Sequence, residues 1–212
     1  MSSPAHTEEI VWEAATDRLR ADPSFGPLVE AVGPVRLRPP RGAPFASLVA
    51  AITYQQLAGK AAMTIHGRVV EALGGDVRPA TVLAADDDAL RGAGLSAAKL
   101  AAIRDLAEKV SSGEVALDGF DGASDGEIRD RLTRVRGIGP WTAEMFLMFD
   151  LRRPDVWPVG DLGVRNGLAR VLELPEAPTP TEAAFIGTGY RPWRSAVAWY
   201  CWRAVEVITP EN

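Results

Sequence analysis

The chain has 212 residues, of which 47% are hydrophobic and 24% charged, the balance of an ordinary globular protein and not of a disordered one. One cysteine, Cys201, excludes an internal disulfide framework or a four-thiolate metal site, and two histidines, His6 and His66, exclude a histidine-rich metal centre. The formal net charge is −5, no apolar run approaches the ~18 residues of a membrane span, and Met1 to Arg20 lacks the basic-then-apolar order of a secretory signal, so a soluble, cytoplasmic protein is expected.

The elements follow in chain order. An acidic opening helix runs into Gly33, Pro34, Pro39, Pro40, Gly42 and Pro44, which break the chain. Phe45, Leu48, Val49 and Ile52 then fall at i, i+3, i+4 and i+7, one apolar stripe on one helix face. Ala61, Ile65, Val69 and Leu73 repeat every four residues until Gly74 and Gly75 stop the helix. Ser96 caps a helix carrying Leu100, Ile103, Leu106 and Val110 toward a core. Ser124 and Glu127 form a capping box ahead of Ile128, Leu132 and Val135. The last long helix puts Trp193, Val197, Tyr200, Ala204 and Val207 on one stripe, with Pro192 in its first turn. Val156–Val159 is too isolated a β-like run to build a sheet, so the fold class is all-α.

Two segments carry chemistry. In the first, a helix ends near Val135, Gly137-Ile138-Gly139 follows, and Pro140 opens a helix bearing Ala143, Phe146 and Leu147. Two glycines leave no Cβ between backbone and ligand, and their amides, with those opening the next helix, can converge on one anion. Ile138 anchors the turn while the amides stay exposed. Such a hairpin grips a phosphate without reading sequence. The charge is locally suited to it: residues 129–165 carry a net +2, against −4 over residues 1–30. In the second segment, Pro158 and Gly160 force a loop, and Asp161 stands 22 residues after Gly139 at the start of a helix. Asp161 reads as a helix N-cap; it also reads as a carboxylate able to stabilise a sugar cation and orient water. The two roles are compatible, because capping fixes the carboxylate's direction.

Gly-Ile-Gly-Pro-Trp-Thr-Ala (137–143) followed by Val-Trp-Pro-Val-Gly-Asp (156–161) resembles the helix-hairpin-helix DNA glycosylase superfamily, and within it the DNA-3-methyladenine glycosylase II branch. Residues 52–57, 90–99 and 191–195 add matches, and the resemblance covers roughly residues 40–207. It implies two helical subdomains flanking a DNA-binding cleft. Residues 1–43 would be an acidic helix and proline-rich linker packing on the C-terminal subdomain, 44–143 a central subdomain ending in the helix-hairpin-helix, and 144–212 a C-terminal subdomain with the aspartate loop. Because so little chain precedes the first motif, a compact form without the N-terminal β-rich domain of some bacterial relatives is expected.

By the same resemblance Asp161 is the catalytic aspartate, and Gly137, Gly139 and Thr142 bind phosphate through their amides. Trp141 and Trp193 match base-pocket positions, with Met145 and Tyr54 bordering the pocket, and Leu57 matches the wedge that fills the gap left by a flipped nucleotide. For the leucine and the tryptophans, plain core packing remains the other reading; Trp199 and Trp202 are assigned to packing. The carbonyls of Thr133, Val135 and Gly137 would hold a structural sodium or potassium ion, and no other cofactor is expected. Members that also cut the strand carry a Schiff-base lysine where this chain has Trp141, which implies hydrolysis by water and no lyase step. The expected activity is therefore a monofunctional, monomeric DNA N-glycosylase that removes cationic alkylated purines from double-stranded DNA. A non-catalytic hairpin DNA-binding module, or a glycosylase for deaminated or oxidised bases, is the alternative.

Overall fold

The structure, a computed structural model, describes residues 4–37, 42–57 and 59–208. Pro39 and Pro40 of the expected linker, and the side chains of His6 and Val207, lie outside that description. Among the described residues the secondary structure is entirely helical, as the apolar spacing demands. The chain divides into two compact units: residues 1–38 with 152–212, and residues 39–151. Among the described residues no helix is long and apolar enough to cross a membrane.

The first unit opens with α1 (Pro4–Arg20) and α2 (Gly26–Val32). Leu19, Phe25 and Val29 are buried, and Phe25 meets the ring of Tyr190 edge-on at 5.3 Å. Tyr200 donates its hydroxyl to Gly33 O at 2.9 Å, so the chain leaving α2 is tied to the last helix by a bond that also satisfies a buried phenol.

The second unit contains α3 (Pro44–Tyr54), α4 (Gly59–Ala72), α5 (Pro79–Ala84), α6 (Asp87–Gly92), α7 (Ala97–Ser111), α8 (Asp125–Leu132) and α9 (Pro140–Phe149). The stripe of α3 is buried as its spacing predicts. In α4 the buried alanine is Ala62 and not Ala61, a one-residue shift in register that keeps Val69 and Leu73 inside. Ser96 accepts from Lys99 N at 3.2 Å, and the Ser124–Glu127 capping box forms in both directions. Leu100, Ile103, Leu106, Ile128, Leu132, Phe146 and Leu147 fill the core; burying such a side chain contributes roughly 1.5–3 kcal/mol.

The first unit resumes with α10 (Leu162–Val171), α11 (Pro180–Gly187) and α12 (Arg194–Ile208). α12 begins two residues after Pro192, so Pro192 and Trp193 belong to the approach and not to the first turn. α10 and α12 pack backbone to backbone: a Cβ on Gly167 would lie 2.0 Å from the carbonyl oxygen of Cys201. Only glycine permits that approach, and it sets the distance between the middle of α10 and the middle of α12.

Candidate functional site

The hairpin of the second unit departs from expectation in its details. α8 stops at Leu132, three residues earlier than the apolar pattern suggests, and the chain tightens through Val135 N to Leu132 O and Ile138 N to Val135 O, at 3.0 and 3.1 Å. Val135 and Ile138 are buried, whereas Arg134, Arg136, Gly137 and Gly139 are exposed. The turn is thus anchored by two aliphatic side chains and presents backbone outward. Gly137 takes φ 77°, and a Cβ there would stand 3.0 Å from Ala102 Cβ. Gly139 is different. Its φ of −90° and ψ of 174° suit any residue, and a Cβ there would meet nothing within 4 Å. Between the two, conformational freedom is therefore required at Gly137 alone; at Gly139 the missing side chain leaves open space beside the turn.

Gly139 is the N-cap of α9, with Pro140 at the first helical position and no side-chain cap. Trp141 and Thr142 occupy the first turn, where amides have no intrahelical acceptor and the helix dipole favours an anion. The hairpin is braced from α7. Asp105 accepts from Arg136 N at 2.7 Å and from Lys109 Nζ at 3.0 Å, and Lys109 also donates to Arg134 O at 2.6 Å. Burial works to raise the Asp105 carboxyl, but the Arg136 amide and the Lys109 hydrogen bond and charge outweigh it and hold the group below the usual carboxylate range.

Val135 O already accepts from Ile138 N, and Gly137 O accepts from Gln55 Nε2 at 2.9 Å. Each of these two carbonyls keeps a second lone pair. Among the described residues no three His, Cys, Asp or Glu side chains cluster to hold a metal ion.

The other predicted residues of this unit lie at its surface or beneath it. Tyr54 ends α3, half-buried, its ring 5.9 Å from that of His66. Leu57 is 38% exposed on the turn after α3, and Trp141 is 47% exposed, so neither is core packing. Met145 is half-buried on α9.

Asp161 belongs to the first unit, and there the construction relies on side chains. It is the N-cap of α10 and accepts from Val164 N at 2.8 Å through Oδ1. The same oxygen accepts the indole N–H of Trp202 at 3.0 Å. Trp202, assigned from its helical stripe to packing, instead orients the carboxylate. A Cβ on Gly163 would crowd this pair, 3.0 Å from Asp161 Oδ1 and 3.1 Å from Trp202 Cδ1, which explains a glycine in the first turn of α10. Asp161 itself is half-buried, not enclosed.

The loop leading to Asp161 is pinned at several points. Arg194 holds Asp155 through Nε to Oδ1 at 2.7 Å and Nη2 to Oδ2 at 2.8 Å, a bidentate pair, and Nη2 also reaches Asp155 O at 3.0 Å. Ser195 Oγ donates to Arg153 O at 2.7 Å and accepts from Val156 N at 2.9 Å. Trp157 donates to Ala183 O at 2.8 Å against Gly187, where a Cβ would lie 2.3 Å from the indole nitrogen. The Arg191–Ser195 motif is accordingly the clasp of the aspartate loop, with half-buried Trp193 at its centre. Trp199 is buried beneath the Arg203 guanidinium, as packing predicts. Burial pushes the buried Cys201 thiol up, and the Asp161 charge adds to the shift.

The second unit thus carries a hairpin that presents backbone outward, and the first unit a carboxylate held by a cap and an indole. The chain belongs to the HhH-GPD superfamily of base excision DNA repair proteins, whose family model matches residues 49–189. It is 35% identical over 206 residues to DNA-3-methyladenine glycosylase 1 of Schizosaccharomyces pombe, covering 92% of this chain and 90% of that protein. A solved structure of the S. pombe 3-methyladenine DNA glycosylase in complex with abasic DNA superposes with a TM-score of 0.81 at 32% identity, covering 94% of this chain and all of that one. A DNA-3-methyladenine glycosidase from Bacillus halodurans gives 0.79 at 35% identity, over 90% of this chain and 88% of that one.

Proposed function

We propose that the chain is a monofunctional DNA N-glycosylase that releases cationic, 3-methyladenine-type purines as the first step of base excision repair. The observation that carries this reading is the Asp161 carboxylate, fixed by Val164 N and Trp202 Nε1 at the opening of α10, in a chain of this family. Its partner is double-stranded DNA bearing alkylated bases, which accords with a cytoplasmic place, nucleoid-associated if the source is bacterial.

The amides of Gly137, Gly139 and Thr142 take a phosphate of the damaged strand. A monovalent cation on the carbonyls of Thr133, Val135 and Gly137 would, when bound, add positive charge beside that phosphate. The lesion nucleotide leaves the stack at a cost of a few kcal/mol, and Leu57 enters the gap. Trp141 and Trp193, with Met145 and Tyr54 at the border, receive the base. A cation over an indole face gains roughly 0.5–2 kcal/mol, which favours N-alkylated purines over neutral ones. The glycosidic C–N bond then breaks with its electron pair leaving on the base, whose charge is thereby neutralised. Asp161 stabilises the oxocarbenium-like sugar and orients the water that adds to the anomeric carbon; the water's second proton passes to the carboxylate or to solvent. An alkylated base already carries its charge, so no acid is needed to protonate it, and the position where strand-cutting relatives hold an amine is Trp141.

The test is a panel of duplexes each bearing one defined lesion, with released free base measured by chromatography. Release of 3-methyladenine-type bases, with no adduct on borohydride treatment, supports the reading. A protein that binds these duplexes but frees no base is a binding module instead, and a trapped covalent adduct contradicts hydrolysis.

A further inference from the structure

The turn after α3 carries a feature that the proposed chemistry does not use. Gln55 closes the helix with extended angles, Gln56 follows at φ 56°, and Leu57 N reaches back to Tyr54 O at 3.3 Å. This is the type II pattern, whose third position ordinarily belongs to glycine or asparagine. A glutamine there places a side chain at the tip where backbone preference would leave none. Gln56 and Leu57 are both exposed.

The Gln55 side chain goes elsewhere. Its Nε2 donates to Gly137 O at 2.9 Å and to Thr142 Oγ1 at 3.1 Å, residues 82 and 87 positions along the chain. A carbonyl only accepts, so the amide's NH₂ must face Gly137. One amide therefore ties the base of the turn both to the left-handed glycine of the hairpin and to the first turn of α9. The end of α3 has a second brace, Lys99 Nζ to Thr53 O at 2.7 Å, supplied by the motif at residues 90–99. The hairpin, for its part, is held from α7 by Asp105 and Lys109 without help from Gln55.

We propose that Gln55 is a positioning residue that couples the turn tip to the phosphate hairpin, so that entry of Gln56 and Leu57 into the base stack and the grip on the phosphate occur together. This rests on the glycosylase reading. Without the Gln55 amide the hairpin keeps its braces and its grip, while the tip swings and its contribution is lost.

The experiment is a double-mutant cycle. Affinity for a duplex with one abasic site, relative to the intact duplex, is measured for four proteins: wild type, Gln55→Ala, the tip variant Gln56→Gly/Leu57→Ala, and the combination. Thermal melting of each variant reports folding. Removing the tip is expected to reduce the preference for abasic DNA about tenfold in the wild-type background but less than about threefold with Gln55→Ala. Fluorescence of 2-aminopurine beside the abasic site should report lost unstacking in Gln55→Ala, while intact-duplex affinity stays within about threefold. Equal tip effects in both backgrounds overturn the coupling. Should Gln55→Ala fail to fold, Gln55→Met keeps the length of the side chain, removes the donor, and is read in the same way. If wild type itself neither prefers abasic DNA nor frees a base, the glycosylase reading falls and the coupling with it; if it does both and the effects are independent, only the coupling falls.

Discussion

Residues 133–142 and residues 152–161 are both turns that enter a helix through an extended residue, Gly139 in one and Asp161 in the other. What each presents is different, and so is what holds it. The hairpin offers backbone: two buried aliphatic anchors, one left-handed glycine, and side chains borrowed from α7 and from the end of α3. The aspartate loop offers one side chain, and surrounds it with a bidentate arginine, a serine that donates and accepts, and two indole N–H groups. Gripping a phosphate needs several modest donors aimed at one place, which backbone supplies cheaply. Supporting charge at one reacting carbon needs a single group with little freedom, and only neighbouring side chains can remove that freedom.

The largest effect on the fold should come from Gly167→Ala. Its new Cβ would collide with the Cys201 carbonyl, forcing α10 from α12. A loss of more than about 4 kcal/mol is expected in chemical denaturation; a loss below about 1 kcal/mol would show that the aspartate loop tolerates movement of its scaffold.

Trp202→Phe tests the side-chain half of the contrast. It keeps the aromatic bulk and deletes one hydrogen bond to a charged group, roughly 1.5 kcal/mol. Base release should slow about tenfold, with KM little changed. A residue that merely packs would leave turnover intact. Gly139→Ala tests the backbone half. Since its Cβ meets no protein atom, the melting temperature should hold while DNA affinity falls several-fold. Gly137→Ala should instead destabilise by about 1–3 kcal/mol, because φ 77° and the Ala102 contact both oppose a side chain. Similar behaviour of the two variants would erase the distinction drawn between these glycines.

The smallest effect is in acid. Asp105 titrates below its unfolded value, so its contribution is complete above the ordinary carboxylate range and disappears as pH falls through the lowered folded value. Stability near neutrality should be insensitive to pH on its account, and Asp105→Asn should flatten the decline in stability below about pH 4. An unchanged acid limb in that variant would remove Asp105 from the hairpin's brace.

What the sequence disclosed divides along the same line. The hairpin is local, so Gly137, Pro140 and buried Ile138 can be read from adjacent residues, and the N-cap role of Asp161 follows from a proline and a glycine close before it. Trp202 lies 41 residues from Asp161 on a helical stripe, where indole and core look alike until the helices are packed. Gln55 lies farther still from its partners. The equal weight of Gly137 and Gly139 rests on the Gly-Ile-Gly motif, which cannot distinguish a glycine needed for its φ from one needed for its emptiness. Pro192 and Trp193 fell outside α12 because the apolar stripe continues past the residues that actually hydrogen-bond as helix.

The central claim is that a carboxylate held by a cap and an indole performs the chemistry, while separate backbone donors do the binding. Asp161→Asn retains size and an acceptor oxygen for the cap but removes the charge. Single-turnover base release from alkylated duplex, measured beside the dissociation constant for abasic duplex, should show release reduced about 10²–10⁴-fold with binding changed only a few-fold. Near-wild-type release by the asparagine protein would mean that the chemistry resides elsewhere.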